Sequence, residues 1–174
     1  MEASSNNTIT VSLQDISKMI DHSLLHPTMT DADIVAGLAI CRDYNVATAC
    51  VKPYLISIAK KALEGTDVLV CPVIGFPHGN SMTEVKVFEA TRAVDEGGKE
   101  IDMVINIGRA LGGDWQYVAD EIRQINDAVV SRGAILKVIF GQCCKHTEAG
   151  YKLTLNRKRL LGRQTYHQAV SDLL

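Results

Sequence analysis

Five short, apolar-rich runs recur along this chain, each separated from the next by a stretch with helical spacing: IDHSLL (20–25), VATACVK (46–52), DVLVCPVIGF (67–76), EIDMVINI (100–107) and AILKVIF (134–140). Strands apolar on both faces and joined by helical crossovers imply parallel pairing under cover on both sides. Right-handed crossovers then set successive strands side by side. Two architectures meet these conditions: a doubly wound open sheet, and part of a (β/α)8 TIM barrel.

The connecting segments carry their own punctuation. A short helix is expected after Ser12, through LQDISKM. Thr30 and Asp33 have capping-box spacing ahead of Ile34, Leu38 and Cys41, which share a helix face. Leu55, Ile58, Ala59, Ala62 and Leu63 repeat helically after Pro53. Ser81 and Glu84 suggest a second capping box, opening a helix to about Glu96 that Gly97-Gly98 stops. Trp115, Val118, Ala119, Ile122, Ile125 and Val129 line one face of a further helix, ended by Gly133. Pro72 is expected to interrupt the third strand.

Charges inside strands decide between the two architectures. No Gly-rich phosphate fingerprint follows any strand, which weighs against a dinucleotide-binding sheet. In a barrel, alternate side chains point into the lumen, and those near the C-terminal strand ends do chemistry. Alternation puts Ile101, Met103 and Ile105 toward the helices and Asp102, Val104 and Asn106 toward the lumen. Likewise Leu136 and Val138 face the helices, while Ile135, Lys137 and Ile139 face inward. Neighbouring strands bring Lys137 within reach of Asp102. Such a pair is either an acid–base unit with shifted pKa values or an inert buried ion pair. Asp21 is a third charge, facing the same lumen or closing a strand-end turn.

Other polar residues carry weaker signals. Cys50 suits a small buried hydrophobe better than a nucleophile. His22 and His26 have H-x3-H spacing, but Pro27 and the strand place them poorly for a shared metal. Cys143, Cys144 and His146 are too few and too crowded for a closed zinc site. His78, in the PHG turn, reads as a solvated histidine, with substrate hydrogen bonding as the alternative.

At 174 residues and 47% apolar content the chain can bury one sizeable core. A net charge of -2 gives no overall attraction to nucleic acid or membrane. Five cysteines without framework spacing, a polar MEASSNNTIT start and no run near the roughly 20 apolar residues of a membrane helix fit a cytoplasmic protein with free thiols. The chain divides into three regions: a polar N-terminus at 1–11, an α/β domain at 12–140, and a divergent segment at 141–174. That last segment holds six basic and two acidic residues, against an acidic remainder; such a segment can bind an acidic partner.

The strings IDHSLLHPTMTDADI, ACVKPYLISIAKKAL, VIGFPHGN, Lys86-x-x-Glu89-Ala90, EIDMVIN and LKVIF, in this order and spacing, closely resemble the deoxyribose-phosphate aldolase family from about Ser12 to Phe140. The resemblance implies a TIM barrel and a class I aldolase without metal or other cofactor. The family reversibly cleaves 2-deoxy-D-ribose 5-phosphate into acetaldehyde and D-glyceraldehyde 3-phosphate, in deoxyribonucleoside catabolism. A lysine amine forms an imine with the acetaldehyde carbonyl, and the protonated imine acts as electron sink. By the same resemblance Asp102 relays protons with a water, Lys137 contacts that aspartate, Asp21 joins their polar network, and Cys50 lies near the pocket without an essential role. The implied partner is a phosphorylated sugar, with neither nucleic acid nor membrane.

The family's imine-forming lysine lies in a K-T-S-T-G segment on the sixth strand, and no such string occurs here. A second, tuning lysine and the phosphate-binding loops of the last strands are also without counterparts. A whole barrel needs roughly 250 residues; five of eight strands are expected here. The string GQCCKHTEAG and the residues after it do not resemble the family's continuation. The change fits a truncation, shifted reading frame, retained intron or mis-joined gene model, or else a genuine new C-terminus with a basic helix. Lys137 is the only lumen lysine the pattern places, and it suits imine formation poorly. The functional alternative is therefore an inactive fragment or a binding or regulatory product. An open arc leaves its first and fifth strands as edges, so a marginal, self-associating protein is expected, as homo-oligomer or aggregate.

Overall fold

The computed structural model describes residues 10–141. Five strands, β1 (Asp21–Leu24), β2 (Thr48–Val51), β3 (Leu69–Ile74), β4 (Glu100–Val104) and β5 (Ile135–Ile139), form one sheet in sequence order. Every neighbouring pair is parallel. The helices are α1 (Leu13–Ser17), α2 (Asp31–Asp43), α3 (Ile56–Ala62), α4 (Thr83–Glu96), α5 (Ile107–Leu111) and α6 (Trp115–Val130). This is a five-stranded arc of a (β/α)8 barrel, with β1 and β5 as its edges among the described residues. The proposed 1–11 and 141–174 regions lie almost wholly outside those residues, as do Cys143, Cys144 and His146.

The two faces of the sheet differ as strand alternation requires. Leu24, Ala49, Val51, Val70, Ile74, Ile101, Met103, Leu136 and Val138 pack against the helices in one continuous core. Leu38 and Cys41 of α2, Ile56 and Ala59 of α3, Ala90 and Ala93 of α4, and Val118, Ile122 and Ile125 of α6 meet them. The opposite, inner face holds a small apolar group of Leu25, Cys50, Cys71 and Val73, with Phe76 against it. Beside that group stand the strand charges. Leu69 and Ile135, on the same face, keep more than a third of their surface exposed.

Three local expectations need correction. The Ser81–Glu84 capping box does not form. Met82 is the N-cap of α4 and no side chain caps it. The helix begins one residue later than the pattern suggests, which buries Thr83 and lets its hydroxyl donate to Tyr117 Oη at 3.1 Å. A tertiary contact thus overrides a local motif. Pro72 does not interrupt β3, which runs through it; the β4 ladder starts one residue beyond, at Val73 opposite Asp102. The short α5 falls in a stretch read as strand end and loop, capped by the Asn106 side chain accepting from Arg109 N–H. The Thr30–Asp33 box is present as expected, and Ser12 with Asp15 forms another on α1.

Where the chain leaves β3, residues 75–79 turn tightly against the end of β4. Gly79 has φ +65, and a Cβ there would lie 1.8 Å from the Ile105 carbonyl oxygen. Only glycine satisfies both conditions. Gly79→Ala is expected to cost about 2–4 kcal/mol, from left-handed strain plus a backbone shift. Urea unfolding measures it; a loss below about 1 kcal/mol would show that the turn yields freely.

Candidate active site

Lys137 is the hub of the inner face. Its side chain is 2% exposed and its Nζ lies 2.7 Å from Asp21 Oδ2, 3.1 Å from Asp102 Oδ1 and 3.2 Å from Glu100 Oε2. Register explains part of this, because Asp102 and Lys137 are direct partners across β4 and β5. Asp21 reaches the same ammonium from β1, at the far edge of the arc. Curvature of the sheet, not strand adjacency, closes that contact. All four residues singled out from the sequence therefore converge, since Cys50 Sγ lies 3.9 Å from Asp102 Oδ2.

Three further members were not picked out. Glu100 sits two residues before Asp102, on the same face by the same alternation. Thr48 sits two before Cys50, and its hydroxyl donates to Asp21 Oδ1 at 2.8 Å. Cys71 is the register partner of Cys50. The period-2 pattern that exposed Asp102 holds all three signals. They were missed because a strand-end acid, a threonine and a second cysteine each suit an ordinary strand.

The electrostatics are unequal. Burial raises the Asp102 carboxyl above its ordinary value; the Lys137 charge opposes this and the Asp21 charge adds to it. For Lys137, burial disfavours the charge, yet the Asp102 carboxylate and the hydrogen bond to Asp21 offset this and hold it upward. Lys137 is thus an ammonium at neutral pH with no lone pair to offer a carbonyl. Burial first, then Cys50, pushes the Cys71 thiol well up, making it an inert thiol. Asp102 Oδ1 lies 3.1 Å from the Lys137 ammonium as a buried ion pair, and no other donor among the described residues meets it.

Cys50, Cys71 and Asp102 also bring potential metal-ligand atoms within 4.8 Å of one another. The Lys137 ammonium 3.1 Å from Asp102 already supplies the cation there, and both thiols would have to lose their protons beside a carboxylate. The other candidates stay apart. His22 lies in β1, and His26 lies beyond its end with Nδ1 2.8 Å from Thr28 Oγ1. His78 is exposed. No helix among the described residues is long and apolar enough to cross a membrane.

Parallel strands, crossover helices on the outer face and an inward charge cluster define this chain as part of a (β/α)8 barrel with buried, paired charges on its lumen face. No family model matches it. It is 45% identical to the deoxyribose-phosphate aldolase of Treponema denticola over 129 residues, covering 74% of this chain and 60% of that one. Against the deoxyribose-phosphate aldolase of Rhodopirellula baltica it is 42% identical over 139 residues, covering 80% and 58%. The fold superposes on the tetrameric deoxyribose phosphate aldolase of Aeropyrum pernix with TM-score 0.75 and 28% identity, covering 91% of this chain and 65% of that one. Over about three quarters of its length the chain is similar to deoxyribose-phosphate aldolases, and it spans about 60% of the length of the curated relatives it matches.

Proposed function

We propose that residues 12–140 supply the acid–base side of a deoxyribose-phosphate aldolase site, acting on 2-deoxy-D-ribose 5-phosphate in cytoplasmic deoxyribonucleoside catabolism. The observation that carries this reading is the buried Asp102 carboxylate on the lumen face, ion-paired at 3.1 Å with a lysine that Asp21 also holds. In a retro-aldol cleavage through an imine, the hydroxyl β to the imine carbon loses its proton as the C–C bond breaks. The bonding electrons pass into the iminium to give an enamine, and the enamine carbon then takes a proton. Asp102, through a water, accepts the first proton and returns the second. Lys137 keeps Asp102 ionised against its burial, and Asp21 orients Lys137. The imine-forming amine has to come from another segment, because Lys137 is charged and no K-T-S-T-G string occurs among the 174 residues. Association through the β1 and β5 edges belongs to the same reading.

The test is to complete the barrel with the C-terminal segment of the Treponema denticola relative. The mixture is then assayed for retro-aldol turnover, with borohydride trapping read by peptide mass. Turnover and an adduct on the added segment's lysine are expected, with no adduct on Lys137. A stable complex without turnover would sink the aldolase reading, and an adduct on Lys137 would overturn its assigned role.

A further inference from the structure

A second charge pair lies on the other side of the sheet. Lys86 of α4 and Glu121 of α6 are wholly buried and 2.8 Å apart. Both stand at core-facing positions, among Thr83, Ala90 and Ala93 on α4 and Val118, Ile122 and Ile125 on α6. The remaining hydrogen bonds of the pair go to one place, the end of β4. Lys86 Nζ donates to the Val104 carbonyl at 2.9 Å, and Glu121 Oε2 accepts from the Asn106 N–H at 3.0 Å. Those groups lie two and four residues after Asp102. The lysine stem also fills the space beside Gly75 (φ +57), where a Cβ would come 2.9 Å from Lys86 Cε. One turn further along α4, Glu89 Oε2 accepts from the Gly75 N–H at 2.8 Å.

A buried ion pair gains little stability over well-packed apolar residues of like volume, so stability alone gives no reason for one here. Its partners do give a reason. It fixes the carbonyl of one residue and the amide of another at the strand end that carries Asp102, and it walls the 75–79 turn pressed against that end.

We infer that Lys86 and Glu121 are positioning residues of the site, holding the β4 end and the 75–79 turn so that Asp102 keeps its place relative to Lys137. The pair touches no reacting atom; it acts through the backbone of β4. This inference rests on the aldolase reading for its catalytic consequence but not for its structural one.

Two measurements separate those consequences. The double variant Lys86→Met/Glu121→Leu replaces the pair with apolar side chains of similar size. In hydrogen exchange on the chain itself, amides of 75–79 and 104–107 should exchange at least about tenfold faster than in the parent, with an unchanged thermal midpoint. In the completed aldolase, kcat should fall about 10–100-fold with KM within about twofold, the mark of lost positioning. Unchanged exchange in both segments overturns the inference whatever the activity. Faster exchange with an unchanged kcat in an active enzyme overturns the positioning role. If the parent itself shows no turnover, the aldolase reading fails and exchange alone decides the inference. Should that double variant not fold, Lys86→Met/Glu121→Gln replaces it with the same expected exchange at 75–79, since it keeps the volume and leaves neither charge buried alone.

Discussion

Lys137→Met should destabilise the protein by about 3–5 kcal/mol at pH 7.5, the cost of removing one partner from a buried charge cluster. The side chain is 2% exposed and meets three carboxylates. Methionine fills the volume but leaves Asp21, Glu100 and Asp102 as uncompensated like charges. The pH dependence gives the prediction its sign. Lys137 is raised above its ordinary value of 10.5, so its stabilisation is complete below that pH and lost only above it. Asp102 is also raised, from 3.8, and loses its main opposing influence in the variant. A raised carboxyl favours folding below its ordinary value, and that advantage disappears as pH rises through the folded value. The gap between variant and parent should therefore narrow on acidification from pH 7.5 toward 4. Urea unfolding across that range checks it. A gap under about 1 kcal/mol, or one that does not change with pH, would mean that water already solvates the cluster.

Alternation carried most of the fold. Each strand lies within its expected run, because a strand buried on both faces must be apolar at nearly every position, and few other segments are. The faces of β4 and β5 followed from period 2 alone, including which side Asp102 and Lys137 take. Curvature was not legible. Nothing local in IDHSLL says that Asp21 comes within 2.7 Å of a lysine 116 residues away. Lys86 and Glu121 were readable in principle, as charges on apolar helix stripes, yet an amphipathic pattern tolerates one charge per stripe without comment. The failed Ser81 cap shows the limit of short motifs. A partly buried Thr83–Tyr117 hydrogen bond accompanies the helix start, and that partner lies 34 residues on.

The β1 and β5 edges, unpaired among the described residues, matter differently for the two charge groups. The Lys86–Glu121 pair lies between helices and sheet, sealed whatever covers the lumen. The Lys137 cluster lies on the inner face, where Asp21 keeps 23% of its side chain exposed while Asp102 keeps 3%. Covering that face would desolvate Asp21 most, strengthening its hold on Lys137. The charge cluster thus exists in the five-stranded arc itself, and covering its face would tighten it.

Asp102→Asn separates the two roles open to that residue, a proton relay or an inert ion pair. The amide keeps the size and one acceptor oxygen but cannot take up a proton. As a relay, Asp102 contributes about 10²–10⁴-fold to the rate. Turnover of the completed aldolase should fall by about 10³, with borohydride-trapped imine still formed, because the amine is elsewhere. Stability should move the other way. Burial raises the Asp102 carboxyl, so the fold disfavours its charge at neutral pH, and a neutral amide relieves that cost. Lys137 keeps Asp21 and Glu100 as partners. The variant should match or exceed the parent at pH 7.5, within about 1 kcal/mol. Any advantage should vanish below pH 3.8, where the parent carboxyl is itself protonated. An ion pair kept for structure predicts the reverse, a loss of about 3 kcal/mol or more with turnover intact. Stability that holds while the rate collapses marks a carboxylate buried for the reaction it serves.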